Sequence, residues 1–343
     1  MKKKVVRFDF WLNPAFDTHM RSLSDVDLTV CSHADGDARN LDALRDAHVY
    51  HICAARDEVP PQWWVTEALL AQLPDLLCAS SSGAGYDPID VEACTRRGVL
   101  VVNQSGCNAD SVAEHALGLM LSVKHRIAES DRVMRAAAYT TREDLMGNEI
   151  RGLTVGLIGL GNIGRRVALL AKAFGMRVLA SDPYLPEDEI VRRGAISATL
   201  DEVLSQSDIV SVHCPRTPET LNMLAADQFR KMKRGAVFIS TARGGIHDET
   251  ALVEVLRDGH LSGAGLDVWT VEPPARDNPL LTLPNVTATY HTAGVTHEAR
   301  RNAATMAAEQ IEAMLRGERA ARIVNPEVWP MFLERHRQLF GKA

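Results

Sequence analysis

The sequence predicts an α/β protein made of two doubly wound parallel-sheet domains. Short apolar runs alternate with helical patterns through the first hundred residues. A glycine-rich strand, turn, helix and strand unit occupies residues 153–182, and the same alternation resumes after it to about residue 290. Strands that alternate with helices pair in parallel, and such a sheet is covered by helices on both faces.

In chain order, residues 5–10, 28–31, 49–54, 76–80 and 99–102 read as strands, with helical character around 41–46, 66–73 and 91–97. These form a smaller domain. Open α/β sheets bind ligands where strands end. Residues 81–87, SSGAGYD, follow the fourth run, and the amides around Ser82, Gly83 and Ala84 could form an anion-binding concavity or merely turn the chain. Residues 103–108, NQSGCN, read as a hinge or crossover. Residues 110–126 form a helical stripe apolar over much of its girth, to be buried between domains or against another subunit.

The central unit begins with an apolar run at 155–158 that ends at Gly159, Leu160, Gly161, Asn162, Ile163 and Gly164. Gly159 permits the sharp turn, Gly161 lets backbone approach a pyrophosphate, and Gly164 lets the following helix pack closely. The amides at the helix start face the anion, and the helix dipole favours it. Gly175 stops the helix, and the next strand ends on Asp182, an acceptor for ribose hydroxyls that repels a 2′-phosphate. The expected cofactor is therefore NAD, on a Rossmann unit.

Beyond it come a helix at 200–206, strands at 209–213 and 236–240, a helix at 249–258, and strands at 264–268 and 286–289. Three strand ends carry polar groups suited to one reaction. Arg243 offers a planar bidentate grip on a carboxylate. His291 titrates near neutrality, and a carboxylate such as Glu272 raises its pKa and fixes its ring. A clamp, an acid and a hydride donor are the parts needed to reduce a 2-oxo acid. Singly, the three residues also fit plainer roles: a surface charge, a loop shaper and a packed histidine.

Composition narrows the classes. The 343 residues are 46% hydrophobic, enough for two cores, and a net charge of −6 gives no footprint for nucleic acid. The opening segment is too short and too charged for a signal peptide or membrane span. Six cysteines without CxxC or metal spacing read as reduced thiols of a cytoplasmic protein that holds no metal.

The chain resembles the D-isomer-specific 2-hydroxyacid dehydrogenase family from about residue 76 to 324, through SGAGYDPID, VVNQSGCNADSVAEHALGLML, VGLIGLGNIG, VHCPRTPET, ARGGIHDETAL, GLDVWTVEPP and HTAGVTHEA. The resemblance implies that Arg243 binds substrate, that His291 is the general acid/base and that Glu272 is its partner. It implies that Asp267 and Thr241 meet the nicotinamide carboxamide, that Asn162 and Ile163 belong to the pyrophosphate turn, and that Cys214 and Pro215 wall the adenosine. His291 and Gly294 count among the cofactor contacts, and Ser82, Gly83 and Ala84 receive the substrate carboxylate. It further implies a flavodoxin-like substrate domain from residues 1–108 and 297–343, a Rossmann domain from 109–296, a cleft between them, and a homodimer built on 110–152. Tyr290 and Ser105 stand where the family commonly has proline, and Glu272 argues against a formate dehydrogenase, which has glutamine there. The alternative is an NAD(H)-sensing, corepressor-like member with little turnover. Arg56 could reach a distal anion of the substrate, such as a phosphate or second carboxylate, although an exposed arginine in ARDEVPP is the plainer reading. Trp63 and Trp64 could wall the pocket, with at least one of them core instead, and residues 324–343 could cap the cleft or pack on a partner.

Overall fold

The computed structural model describes residues 2–136 and 140–341. Residues 137–139 of the expected dimerisation segment, and the extreme ends of the expected substrate domain, lie outside the described residues. Two compact units form: the chain up to Asn108 together with that from Thr296 on, and Ala109–Val295.

The first unit is a five-stranded parallel sheet of β1 (Lys3–Phe8), β2 (Val26–Cys31), β3 (Val49–Ile52), β4 (Cys78–Ser81) and β5 (Leu100–Val102), in the order β2-β1-β3-β4-β5. That is the flavodoxin-like order. The two-residue period of a strand sends neighbouring side chains to opposite faces. Val5 joins Phe16, Met20 and Ile311 in one core, whereas Val6 and Phe8 join Tyr50 and Trp63 in the other. The helix His297–Leu315 starts where the Thr296 hydroxyl accepts from the Ala299 amide, and its Ala304, Ala307 and Ala308 lie on the first core. Thr296 therefore groups with the smaller unit, one residue before the expected boundary. Val328 and Phe332 of the C-terminal segment are buried in this same core, which accounts for the segment by packing within its own unit.

The second unit is a seven-stranded parallel sheet: β6 (Thr154–Ile158), β7 (Arg177–Ser181), β8 (Ile196–Ser197), β9 (Ile209–Val212), β10 (Val237–Ser240), β11 (Gly263–Leu266) and β12 (Val286–Ala288), ordered β12-β11-β10-β9-β6-β7-β8. Counted within the unit, this is the doubly wound nucleotide-binding order with one strand added. The apolar helix Ala109–Lys124 packs on this sheet through Ala113, Ala116, Leu119 and Met120. Much of its apolar girth is thus covered by its own unit, and no second subunit is needed to bury those residues. β11 reads GAGL because the helix runs so close: a Cβ on Gly265 would lie 2.8 Å from Leu119 Cβ, and one on Gly263 would lie 2.6 Å from Val123 Cγ1. No helix among the described residues is long and apolar enough to cross a membrane.

Candidate active site

At the ends of β6 and β7 the glycine turn is shaped by contacts that leave no room for side chains at Gly159 and Gly164. Gly159 has φ +91°, and a Cβ there would lie 2.8 Å from the Cys214 amide nitrogen. A Cβ on Gly164 would stand 2.2 Å from the Gly159 carbonyl oxygen, so this glycine seats the helix Asn162–Ala173 on the turn itself. A Cβ on Gly161 would meet nothing within 4 Å, so the turn is open on that side. Asp182 follows β7 and accepts from the Leu160 amide at 2.9 Å and the Tyr184 amide at 3.1 Å, one on each carboxylate oxygen. Each oxygen retains capacity for a hydroxyl. An open backbone turn at a helix start, with a carboxylate across it, suits a pyrophosphate and a ribose. Burial pushes the Cys214 thiol up to about 11, and the charge of Asp182 acts in the same direction.

The ends of β10, β11 and β12 bring the predicted reacting groups together. Glu272 accepts from the Trp269 amide at 3.0 Å, and its other oxygen lies 2.7 Å from His291 Nδ1. The loop carrying Glu272 is fixed in turn, since Thr270 donates its amide to Glu249 at 2.6 Å. His291 has φ +51°, a left-handed conformation uncommon for a residue with a side chain, and its amide donates to the Asp267 carbonyl at 2.8 Å. The hydrogen bond to Glu272 raises the His291 pKa above 6.5, against burial and the Arg243 charge. Burial pushes the Glu272 carboxyl up, but the His291 and Trp269 hydrogen bonds and the charges of His291 and Arg243 prevail and hold it below 4.5. Arg243 is half-buried and donates to the Ala242 carbonyl at 2.8 Å. A cation, a carboxylate and a carboxylate-paired imidazole so arranged can grip an anion and exchange a proton with it.

Thr241 is buried, with no hydrogen-bond partner for its hydroxyl among the described residues. Asp267 is fully buried and accepts from the Thr289 hydroxyl at 2.6 Å and from the Thr292 and Ala293 amides, each at 2.9 Å. Gly294 follows that turn directly. Pro215 lies on the surface and accepts from the Thr220 hydroxyl. Tyr290 is exposed beside His291.

In the smaller unit, Ser82 donates its amide to Ile52, and the Gly83 amide lies 3.3 Å from the Ser81 hydroxyl. The carbonyls of Gly83 and Ala84 accept from Gln104 and Asn103, which fixes the turn. Ser105 contributes its carbonyl to Arg322. Arg56 is pinned beside this turn, donating to the Asp87 carbonyl at 2.9 Å with its guanidinium 4.7 Å over the Trp64 ring; Trp63 is core. Sequence reasoning missed two supporting residues. Arg193 donates to the Leu160 carbonyl at 2.7 Å, and His115 Nε2 lies 2.9 Å from the Thr289 hydroxyl. Neither position carries a spacing signal of its own.

Residues 117–293 match the family model described as D-isomer specific 2-hydroxyacid dehydrogenase, NAD binding domain. The chain is 39% identical over 292 residues to the D-3-phosphoglycerate dehydrogenase of Archaeoglobus fulgidus, covering 85% of this chain and 54% of that protein. It is 39% identical over 258 residues to the glyoxylate reductase of Korarchaeum cryptofilum, covering 74% of this chain and 78% of that protein. The D-lactate dehydrogenase of Aquifex aeolicus, solved with NAD and lactic acid, superposes with a TM-score of 0.79 at 28% identity, covering 93% of this chain and 98% of that one. The chain spans about half the length of the D-3-phosphoglycerate dehydrogenases it matches. It belongs to the D-isomer specific 2-hydroxyacid dehydrogenase family, and its larger unit is the family's NAD-binding domain.

Proposed function

We propose that the chain reversibly reduces a 2-oxo acid to a D-2-hydroxy acid with NAD as redox partner, through Arg243, Glu272 and His291. The observation that carries this is the 2.7 Å contact of His291 Nδ1 with Glu272, under the charge of Arg243 and on the same sheet ends as the dinucleotide turn. Glu272 occupies Nδ1, so the exchangeable proton belongs on Nε2. In reduction His291 gives that proton to the substrate's carbonyl oxygen, and in oxidation the neutral ring takes it from the hydroxyl; such a group contributes roughly 10²- to 10⁴-fold. Arg243 holds the carboxylate and aligns the carbonyl.

When bound, NADH supplies the hydride. Gly159, Gly161, Asn162, Ile163 and Gly164 would hold its pyrophosphate, Asp182 the ribose hydroxyls, and Cys214 and Pro215 the adenosine side. Thr241, Asp267, His291 and Gly294 would border the nicotinamide. Ser82, Gly83 and Ala84 are assigned to the substrate carboxylate on sequence likeness. The assembly is a homodimer: Ile127, Met134 and Met146, within 110–152, are 56%, 80% and 69% exposed in the single chain, an apolar surface that a second copy would cover.

The test is NADH oxidation with glyoxylate, hydroxypyruvate, phosphohydroxypyruvate, pyruvate, phenylpyruvate and 2-oxoglutarate, with NADPH in parallel. Turnover of at least one acid, faster with NADH, is expected. Tight NADH binding without turnover on any of them would overturn the proposal.

A further inference from the structure

Every residue from 289 to 293 except Tyr290 is bonded to Asp267. Its carboxylate takes the Thr289 hydroxyl and the Thr292 and Ala293 amides, and its carbonyl takes the His291 amide. Asp267 is the frame on which the His291 turn hangs. The Thr289 hydroxyl has one proton, and the 2.6 Å distance to Asp267 Oδ1 shows where it goes. The His115 Nε2 at 2.9 Å from that hydroxyl must then be the donor, which fixes the tautomer. The same nitrogen is 3.6 Å from Asp267 Oδ1. His115 sits on the helix Ala109–Lys124, whose close packing over β11 is permitted by Gly263 and Gly265, so the donor approaches from a packed helix.

We infer that His115 is a positioning residue for the acid/base step: by donating to Thr289 it locks the Thr289–Asp267 pair and holds the turn that aims His291. The inference rests on the reading of His291 as the acid/base. Without this donor the Thr289 hydroxyl is released to rotate toward the Leu266 carbonyl, 3.4 Å away, and the carboxylate loses one of three bonds that shape the turn. His291 is faced by Glu272, Arg243 and Asp267. A loosened turn lengthens its contact with Glu272, so the pH midpoint of reduction falls.

The experiment compares the variants His115→Phe, His115→Gln and Thr289→Val with Ser122→Ala, each in the whole chain. The Ser122 hydroxyl lies 3.1 Å from that of Thr287, a contact from the same helix to the strand that leads into Thr289, without a link to Asp267. His115→Phe and Thr289→Val should lower kcat at least about tenfold with KM for the oxo acid changed less than about threefold, because misaimed proton transfer costs rate rather than binding. The pH midpoint should fall in both. His115→Gln, whose amide nitrogen reaches the position of Nε2, should recover most of kcat and the midpoint, and Ser122→Ala should leave both alone. Parental kcat and midpoint in Thr289→Val and His115→Phe would overturn the inference, as would an equal loss in Ser122→Ala. His291→Gln serves as the control: if it turns over normally, the reading of His291 fails rather than the role of His115.

Discussion

Gly244 lies so close to Trp269 that a Cβ on it would stand 1.7 Å from the Trp269 carbonyl oxygen. The loop of Arg243 is thereby held against the loop of Glu272, backbone to backbone, and no side-chain rotation can relieve an added methyl. Gly244→Ala should cost about 1–3 kcal/mol of stability. It should also lower turnover by more than about tenfold, since clamp and carboxylate move apart. Urea unfolding and steady-state kinetics measure the two effects, and parental values for both would refute the close approach.

In the proposed mechanism the His291–Glu272 pair sets the pH dependence. With its pKa raised by the Glu272 hydrogen bond, His291 keeps its proton to higher pH than a free imidazole, so kcat for reduction should fall, and that for oxidation rise, as pH passes upward through its raised pKa. In Glu272→Gln the largest upward cause is gone while burial and Arg243 still act downward, so the midpoint should move to lower pH. The stability linkage has two signs. The His291 contribution is complete below 6.5 and is lost as pH rises through its folded value. The Glu272 contribution is present above 4.5 and is lost as pH falls through its own. The pair should therefore stabilise most fully between those limits, a pattern that melting temperatures of parent and Glu272→Gln across pH would reveal.

Leu160 is gripped on both sides of the dinucleotide turn, its amide by Asp182 and its carbonyl by Arg193. Asp182→Ala should weaken NADH binding about tenfold and reduce the preference over NADPH, because one change removes a charged acceptor and the repulsion of a 2′-phosphate. Arg193→Ala should weaken both cofactors alike, since it frees the turn without touching the ribose. Titrations of protein fluorescence with each cofactor would distinguish the two patterns.

The glycine turn and the carboxylate across it were legible because residue types and spacing answer to backbone geometry: Gly159 needs a left-handed φ, and Gly164 must clear the Gly159 carbonyl. The strands that carry Arg243, Glu272 and His291 were legible as apolar runs, although β11 and β12 stop before the expected limits because the chain turns into the loops anchored by Asp267. The helices Glu187–Arg192 and Ala226–Lys231 were not foreseen; each is six residues long and mostly polar, too short for a periodic signal. His115 was hidden for another reason. Its partners Asp267 and Thr289 are distant in sequence, and only the close packing permitted by Gly263 and Gly265 brings the helix to them.

A homodimer predicts a solution mass of twice the 37.6 kDa chain at micromolar concentration. Light scattering coupled to gel filtration measures it directly. Charged substitutions at Ile127 and Met134 together should shift the protein toward monomer, and a monomeric parent would remove the assembly from the proposal.

The most direct test of the central claim is turnover by His291→Gln on whichever 2-oxo acid the parent reduces best, with NADH affinity measured alongside. Loss of the general acid predicts a fall in kcat of about 10²- to 10⁴-fold with the NADH dissociation constant nearly unchanged. Turnover equal to the parent's would contradict it and remove His291 from the chemistry.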